Sequence, residues 1–288
     1  MQSQSVQYRC PAPAKINLFL HITSQRSDGY HNLQTLFQFT EFCDWLTFSL
    51  NSTDDIVLTG DSVGISPEDN LIYKAALLLK FKTKCPLGAK IDLEKNIPSG
   101  AGLGGGSSDA ATTLLVLNKL WDLKLTNDEL SAIGLTLGAD VPIFIHGNSA
   151  FAEGVGEKLI NAELSELDIV LAMPKQTSIS TQIIFTHPDL PRDSAKIDFS
   201  AYQFAKTRND CEMIVRQSYP AVANTLSWLV EYAPSRMTGT GACCFALFNN
   251  RSSADEMVKH SPNFVDCYVT KTCNTSSAHD FIATHFKN

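Results

Sequence analysis

Residues 14–22, Ala14-Lys15-Ile16-Asn17-Leu18-Phe19-Leu20-His21-Ile22, alternate with a period of two. Ile16, Leu18, Leu20 and Ile22 fall on one face and Lys15, Asn17, Phe19 and His21 on the other, which predicts a β-strand. An Asp-Gly turn follows at Asp28-Gly29-Tyr30-His31, and the apolar stretch running to Leu50 suggests more sheet. Short strands are expected at residues 54–59 and 89–95. Between them, Pro67-Glu68-Asp69-Asn70 reads as the cap of a helix reaching about residue 82, with Leu71, Ala75, Leu78 and Leu79 on its inner stripe. Helical spacing returns over residues 110–121, where Leu114, Leu117, Leu120 and Trp121 recur at three and four. It returns again after Thr126-Asn127-Asp128-Glu129, which has the form of a capping box. Val141-Pro142-Ile143-Phe144-Ile145 reads as an apolar strand.

The composition turns polar and acidic at residues 159–167, which predicts two domains, 1–160 and 161–288. The second half opens with a strand at 168–173. Helices at about 210–217 and 221–232 follow, then a glycine turn into a strand ending at Phe248, a further helix and strand, and a last helix. Strands and helices mix without regular alternation, so the expected class is α+β.

Candidate chemistry centres on Pro98-Ser99-Gly100-Ala101-Gly102-Leu103-Gly104-Gly105-Gly106-Ser107-Ser108, with five glycines in seven positions. A glycine-rich turn that opens into a helix offers unpaired N–H groups and the positive end of the helix dipole to one point. That arrangement suits a nucleotide phosphate. A linker is the plain alternative, but linkers are polar on both sides and this run joins a strand to a helix. No G-x-x-x-x-G-K-[ST] occurs, which excludes a Walker loop. Gly100, Gly102 and Gly105 satisfy G-x-G-x-x-G, yet no strand carries an acid about twenty residues on, as a dinucleotide fold requires. H-R-D, D-F-G and G-x-S-x-G are also absent.

Two further residues stand out. Lys15 and Asn17 share a strand face, where solvation is the ordinary explanation. Asp140 is an isolated carboxylate between a helix-ending glycine and an apolar run; that is a turn former's place, and also a setting in which a general base is held.

The net charge of −7 over 288 residues speaks against a nucleic-acid binder, and no apolar run approaches membrane-spanning length. Eight cysteines form no C-x-x-C, so zinc spacing is missing. With no leader-like segment, reduced thiols in the cytoplasm are the simplest expectation.

Three separated motifs, Pro13-Ala14-Lys15-Ile16-Asn17-Leu18, the glycine stretch from Pro98 to Ala111, and Gly239-Thr240-Gly241-Ala242, resemble those of the GHMP kinases. Asp28-Gly29-Tyr30-His31, Gly138-Ala139-Asp140-Val141-Pro142 and Asn209-Asp210-Cys211 are similar to the branch whose substrate alcohol carries a cytidine diphosphate. The resemblance implies a two-lobed fold, with a ribosomal-protein-S5-domain-2-like lobe followed by a ferredoxin-like one. It implies ATP and Mg²⁺ as cofactors, a small-molecule partner, and a monomer or weak homodimer. Asp140 would be the base and Lys15 the cation beside it. Asn70, Leu71 and Lys95 would lie near the adenine, and residues 98–108 around the phosphates. Tyr30, His31 and Phe185 would hold the cytosine, with Asn17 and Thr240 also on the substrate side. No protein metal ligand is implied. Asp109 stands where some relatives carry Asn. Another small-molecule kinase of the superfamily, or a nucleotide-binding regulator without chemistry, are the alternatives.

Overall fold

The computed structural model describes residues 6–61 and 66–286. The chain opens with two long strands, β1 (Tyr8–Gln25) and β2 (His31–Asn51), paired antiparallel along their lengths. β3 (Ile56–Gly60) precedes helix α1 (Leu71–Thr83), whose N-cap is Asn70. β4 (Gly88–Glu94) pairs with the second half of β2 and, in parallel, with β3. Helices α2 (Gly105–Leu120), α3 (Asn127–Leu135) and α4 (Val141–His146) follow, then β5 (Ala150–Gly154) and β6 (Lys158–Asn161). β5 pairs with the first half of β2, so this one strand borders β5 at one end and β4 at the other.

The second half starts with β7 (Asp168–Pro174) and the short α5 (Thr181–Phe185). Then come α6 (Glu212–Ser218), α7 (Pro220–Leu229), β8 (Ser235–Met237), β9 (Cys244–Phe248), α8 (Arg251–Lys259), β10 (Val265–Cys273) and α9 (Ser277–His285). The four strands lie in the order β10-β7-β9-β8, all antiparallel. Two pairs, Thr272 with Thr40 and Cys273 with Phe39, join this sheet to the first. The architecture is the α+β one expected.

Three hydrophobic clusters hold the elements. One packs α1, α2, α3 and α4 on β2 and β4, a second packs α6, α7 and α8 on β7 and β9, and a third lies between the halves. The third contains Ile16 and Phe19 from β1, Leu103 from the glycine loop, and Ile169 and Phe245 from the second sheet. β1 contributes to all three clusters, which is why Lys15 and Asn17 are buried. Its alternation is that of a strand with one wet face, but here both faces are covered. α9 returns to the first cluster through Ala278, Phe281 and Ile282, although it follows the second half in sequence.

Val141–His146 is helix where the sequence suggests a strand. All five residues from Val141 to Ile145 are buried, and such an element shows no periodicity to read. Pro142 lies in its first turn, where a missing N–H costs nothing, whereas in a central strand it would delete a ladder bond. α2 likewise begins at Gly105, five residues before the apolar pattern does.

Candidate active site

The glycine loop is built from left-handed residues at alternate positions: Gly100 (φ +69°), Gly102 (+76°) and Gly104 (+73°). Such residues interleaved with ordinary ones curl the backbone so that N–H groups converge. None of these three positions has room for a side chain. A Cβ at Gly102 would lie 2.3 Å from the Thr238 carbonyl oxygen, and one at Gly104 would lie 2.9 Å from Phe144 Cζ and 3.1 Å from Lys15 Cε. The loop is strapped on both sides. Leu103 O accepts from the Lys15 amide (3.0 Å), and Ala101 O from the Cys243 amide (3.0 Å).

Behind the loop, Asp44 and Asp109 face one ammonium, that of Lys95, at 2.5 and 2.7 Å. The other Asp44 oxygen accepts from the amides of Asn96 (2.6 Å) and Ile97 (2.7 Å), fixing the chain as it enters the loop. Burial, with Asp44 adding to it against the opposing pull of Lys95, pushes the Asp109 carboxyl up to about 7.

In front of the loop is a cavity of about 370 Å³, walled by residues 98–107, Lys15 and Asn17, Thr35 and Phe37, Ala139 and Asp140, Thr181 and Phe185, and Gly239 and Thr240. Lys15 and Asp140 meet here, Nζ to Oδ2, at 3.2 Å. The ammonium also donates to Asn17 Oδ1 (2.7 Å) and Gly102 O (3.2 Å), so its three protons have three acceptors. The Phe37 ring lies beneath it, 5.4 Å to the centroid. Asn17 is held in turn: its Nδ2 donates to Thr35 Oγ1 (2.8 Å), and its amide to Thr238 Oγ1 (2.9 Å). Asp140 occupies the N-cap position of α4 yet makes no capping bond. A carboxylate there ordinarily binds the first helical amides; this one is left to Lys15 and the cavity.

The expected residues separate into two groups. Lys15, Asn17, Leu71, Pro98, Ser99, Gly100, Ala101, Gly102, Leu103, Gly104, Gly105, Gly106, Ser107, Asp140, Phe185 and Thr240 line the cavity. Asn70, Lys95, Ser108, Tyr30 and His31 are off its wall. Asn70 Oδ1 is occupied with the Ile72 amide (2.9 Å), and Lys95 with the two aspartates. Ser108 is fully buried with no hydroxyl partner among the described residues. Tyr30 is 62% exposed, while His31 is buried and its ring lies 5.3 Å from that of Phe185.

Thr35, Phe37 and Thr181 went unsuspected. The Thr181 and Thr240 hydroxyls lie 3.0 Å apart across the cavity wall. Thr35 and Phe37 share a face of β2 at the two-residue strand period, a signal that would have found them; Thr181 carries none. Among the described residues no three or more His, Cys, Asp or Glu side chains are grouped to hold a metal ion.

The chain is similar to known proteins over most of its length. Residues 70–148 match the GHMP kinases N terminal domain and residues 197–260 the GHMP kinases C terminal domain. The chain is 54% identical over 268 residues to the 4-diphosphocytidyl-2-C-methyl-D-erythritol kinase of Aliivibrio salmonicida, covering 93% of each. It is 53% identical over 267 residues to the protein of that name from Shewanella frigidimarina, covering 92% of each. A crystal structure of 4-(cytidine 5'-diphospho)-2C-methyl-D-erythritol kinase superposes with a TM-score of 0.80 at 30% identity, over 92% of this chain and 98% of that one. A mevalonate kinase structure superposes at 0.68 with 15% identity, over 94% and 100%, a likeness of fold. With relatives at 53–54% identity over more than nine-tenths of the chain and both family models matched, the chain belongs to the GHMP kinase family.

Proposed function

We propose that this chain is an ATP-dependent kinase that phosphorylates the 2-hydroxyl of 4-diphosphocytidyl-2-C-methyl-D-erythritol, a step toward isoprenoid precursors. The observation that carries it is the meeting of Lys15 and Asp140 at 3.2 Å on the wall of the cavity that the glycine loop also lines. ATP fits the loop on physical grounds: the positions where a Cβ would collide leave bare backbone and a helix N-terminus, which is what an approaching phosphate needs. Mg²⁺ would arrive on the phosphates, since it keeps several waters and takes only one or two protein oxygens. The Ser107 hydroxyl and the Asp140 carboxylate are oxygens on that wall. Bound ATP and its metal supply the transferable phosphoryl group and much of the charge neutralisation.

The chain's own residues do the rest. Asp140 Oδ2 is held by Lys15, which leaves Oδ1 to take the proton from the substrate hydroxyl. Lys15 balances negative charge at the transferring group from a position fixed by Asn17 and Gly102. His31 and Phe185, with Tyr30 closing from the exposed side, grip the cytosine, and that remote binding orients the hydroxyl. On this reading Asn70, Leu71 and Lys95 lie near the adenine, Leu71 from the cavity wall and the other two from off it. Two lobes, 1–160 and 161–288, with the last helix returning to the first, form the enzyme. A monomer or weak homodimer is the expected assembly, and eight free thiols suit the reducing cytoplasm.

A coupled assay with ATP and a panel of alcohols tests this reading. Turnover is expected with the cytidine diphosphate alcohol, with phosphate appearing on the 2-hydroxyl by ³¹P NMR. Turnover only with mevalonate, homoserine or a sugar would replace it with another member of the superfamily.

A further inference from the structure

Arg192 lies in the loop after α5, and every nitrogen of its guanidinium donates a hydrogen bond. Nη1 donates to the carbonyls of Leu190 (2.9 Å) and Pro188 (3.4 Å), and Nη2 to those of His187 (2.9 Å) and Phe185 (3.2 Å). Nε donates to His31 Nε2 at 3.1 Å. A guanidinium has no acceptor and keeps its proton in a protein. His31 Nε2 must therefore be the nitrogen with the lone pair, and the ring proton must be on Nδ1. A second proton on the ring is disfavoured by burial and then by the adjacent guanidinium, both of which lower the His31 pKa. Among the described residues Nδ1 has no hydrogen-bond partner, nor is it sealed in the interior. The nearby charges of Arg26 and Asp28, on the turn before His31, are paired with each other at 2.8 Å.

The same guanidinium thus holds the main chain of Phe185 and the ring of His31, whose centroids are 5.3 Å apart. One side chain sets both the spacing of the two groups and the tautomer of one.

We propose that Arg192 is the positioning residue for base specificity: it presents His31 as a neutral Nδ1–H donor, which selects the N3/O2 acceptor edge of cytosine. Uracil places a hydrogen on N3, where it meets a donor rather than a partner. A site built around a hydrogen bond rejects the analogue that cannot complete it far more strongly than an apolar pocket does. This inference rests on the cytosine-grip reading above and adds to it which atom reads the base and what fixes that atom.

CDP and UDP serve as probes, with binding followed by calorimetry and the His31 ring nitrogens by ¹⁵N NMR. Wild-type protein is expected to prefer CDP by about tenfold or more and to show a protonated Nδ1. In Arg192→Met the CDP/UDP ratio should fall toward one and the tautomers mix, while KM for ATP is unchanged. Arg192→Lys, which keeps the charge but not the fork, should behave like Arg192→Met. An unchanged ratio and tautomer in folded Arg192→Met would overturn the role of Arg192 and leave the base grip standing. Equal losses of CDP and UDP with the tautomer kept would also overturn it, by reducing Arg192 to loop support. Wild-type protein that binds neither CDP nor UDP would remove the base grip itself. Should Arg192→Met not fold, a protonated Nε2 in the wild-type spectrum is the result that overturns the proposal.

Discussion

Lys15 and Asp140 form a lopsided pair: Nζ and Oδ2 are 3.2 Å apart, but the lysine side chain is 3% exposed and the aspartate 36%. The lysine is fixed by Asn17 Oδ1 and Gly102 O. The aspartate sits at the N-terminal end of a six-residue helix and, among the described residues, has only this one partner. The cation is therefore the rigid member, and the carboxylate is the one that can meet a substrate.

If Asp140 is the base, Asp140→Asn keeps the shape and deletes the proton acceptor. The expected fall in kcat is roughly 10²–10⁴-fold, with both KM values nearly unchanged. Lys15→Met should also lower kcat, and the double variant should lose less than the product of the two single effects, as groups acting together do. Steady-state kinetics on the three variants decide it; a near-wild-type kcat for Asp140→Asn removes the general-base role.

The loop glycines should not respond alike. At Gly104, alanine takes a left-handed φ and a Cβ 2.9 Å from buried Phe144 and 3.1 Å from the Lys15 stem. Gly104→Ala is expected to cost about 1–3 kcal/mol and to lower kcat by displacing Lys15. Gly106 is in the first turn of α2, where a Cβ would touch only Leu71 Cδ1 at 3.5 Å. Gly106→Ala should melt at or above the wild-type temperature, since alanine is the better helix former. Thermal melts compared with kinetics separate the two.

Asp109 should make stability fall as pH rises. Its folded pKa, about 7, is above the value of 3.8 for a free aspartate, burial being the main cause. The folded protein thus holds this proton more tightly than the unfolded chain. The contribution is full below about 4 and is lost as pH rises through about 7. Asp109→Asn needs no proton there and leaves Lys95 to Asp44. It should be more stable than wild type at pH 8 and show no such gain at pH 4. Urea titrations at the two values test this, and equal differences at both would contradict it.

The base grip predicts a split between substrates. Phe185 is on the cavity wall and Tyr30 is exposed beside His31. Phe185→Ala and Tyr30→Ala should each weaken the cytidine substrate by about 1–3 kcal/mol, the range for base–aromatic stacking, and spare ATP. A matching rise in KM for ATP would show that the grip lies elsewhere.

Much of this was legible in the chain because it depends on neighbours in sequence. The alternation that makes β1, the capping box of Thr126 and Glu129, the Asn70 cap and the glycine cradle are all local, and local chemistry dictates them. Where burial on every side erased the period, as at Val141–His146, the pattern misled, although Pro142 carried the corrective signal.

Position in three dimensions was a different matter. Lys15 looks like a solvated strand lysine until the loop and the second half of the chain cover β1; its three acceptors come from strand, loop and helix end. Lys95 carries a charge that sequence can offer to a ligand, but packing spends it on Asp44 and Asp109. Arg192 reaches His31 across 161 positions of chain. Sequence by itself determined most of the elements, the glycine-rich turn and the kinds of group available for phosphoryl transfer, since these follow from dihedral preference and periodicity. Only the tertiary structure decided which charges meet, because a hydrogen bond acts over about 3 Å and nothing in residue order sets that distance.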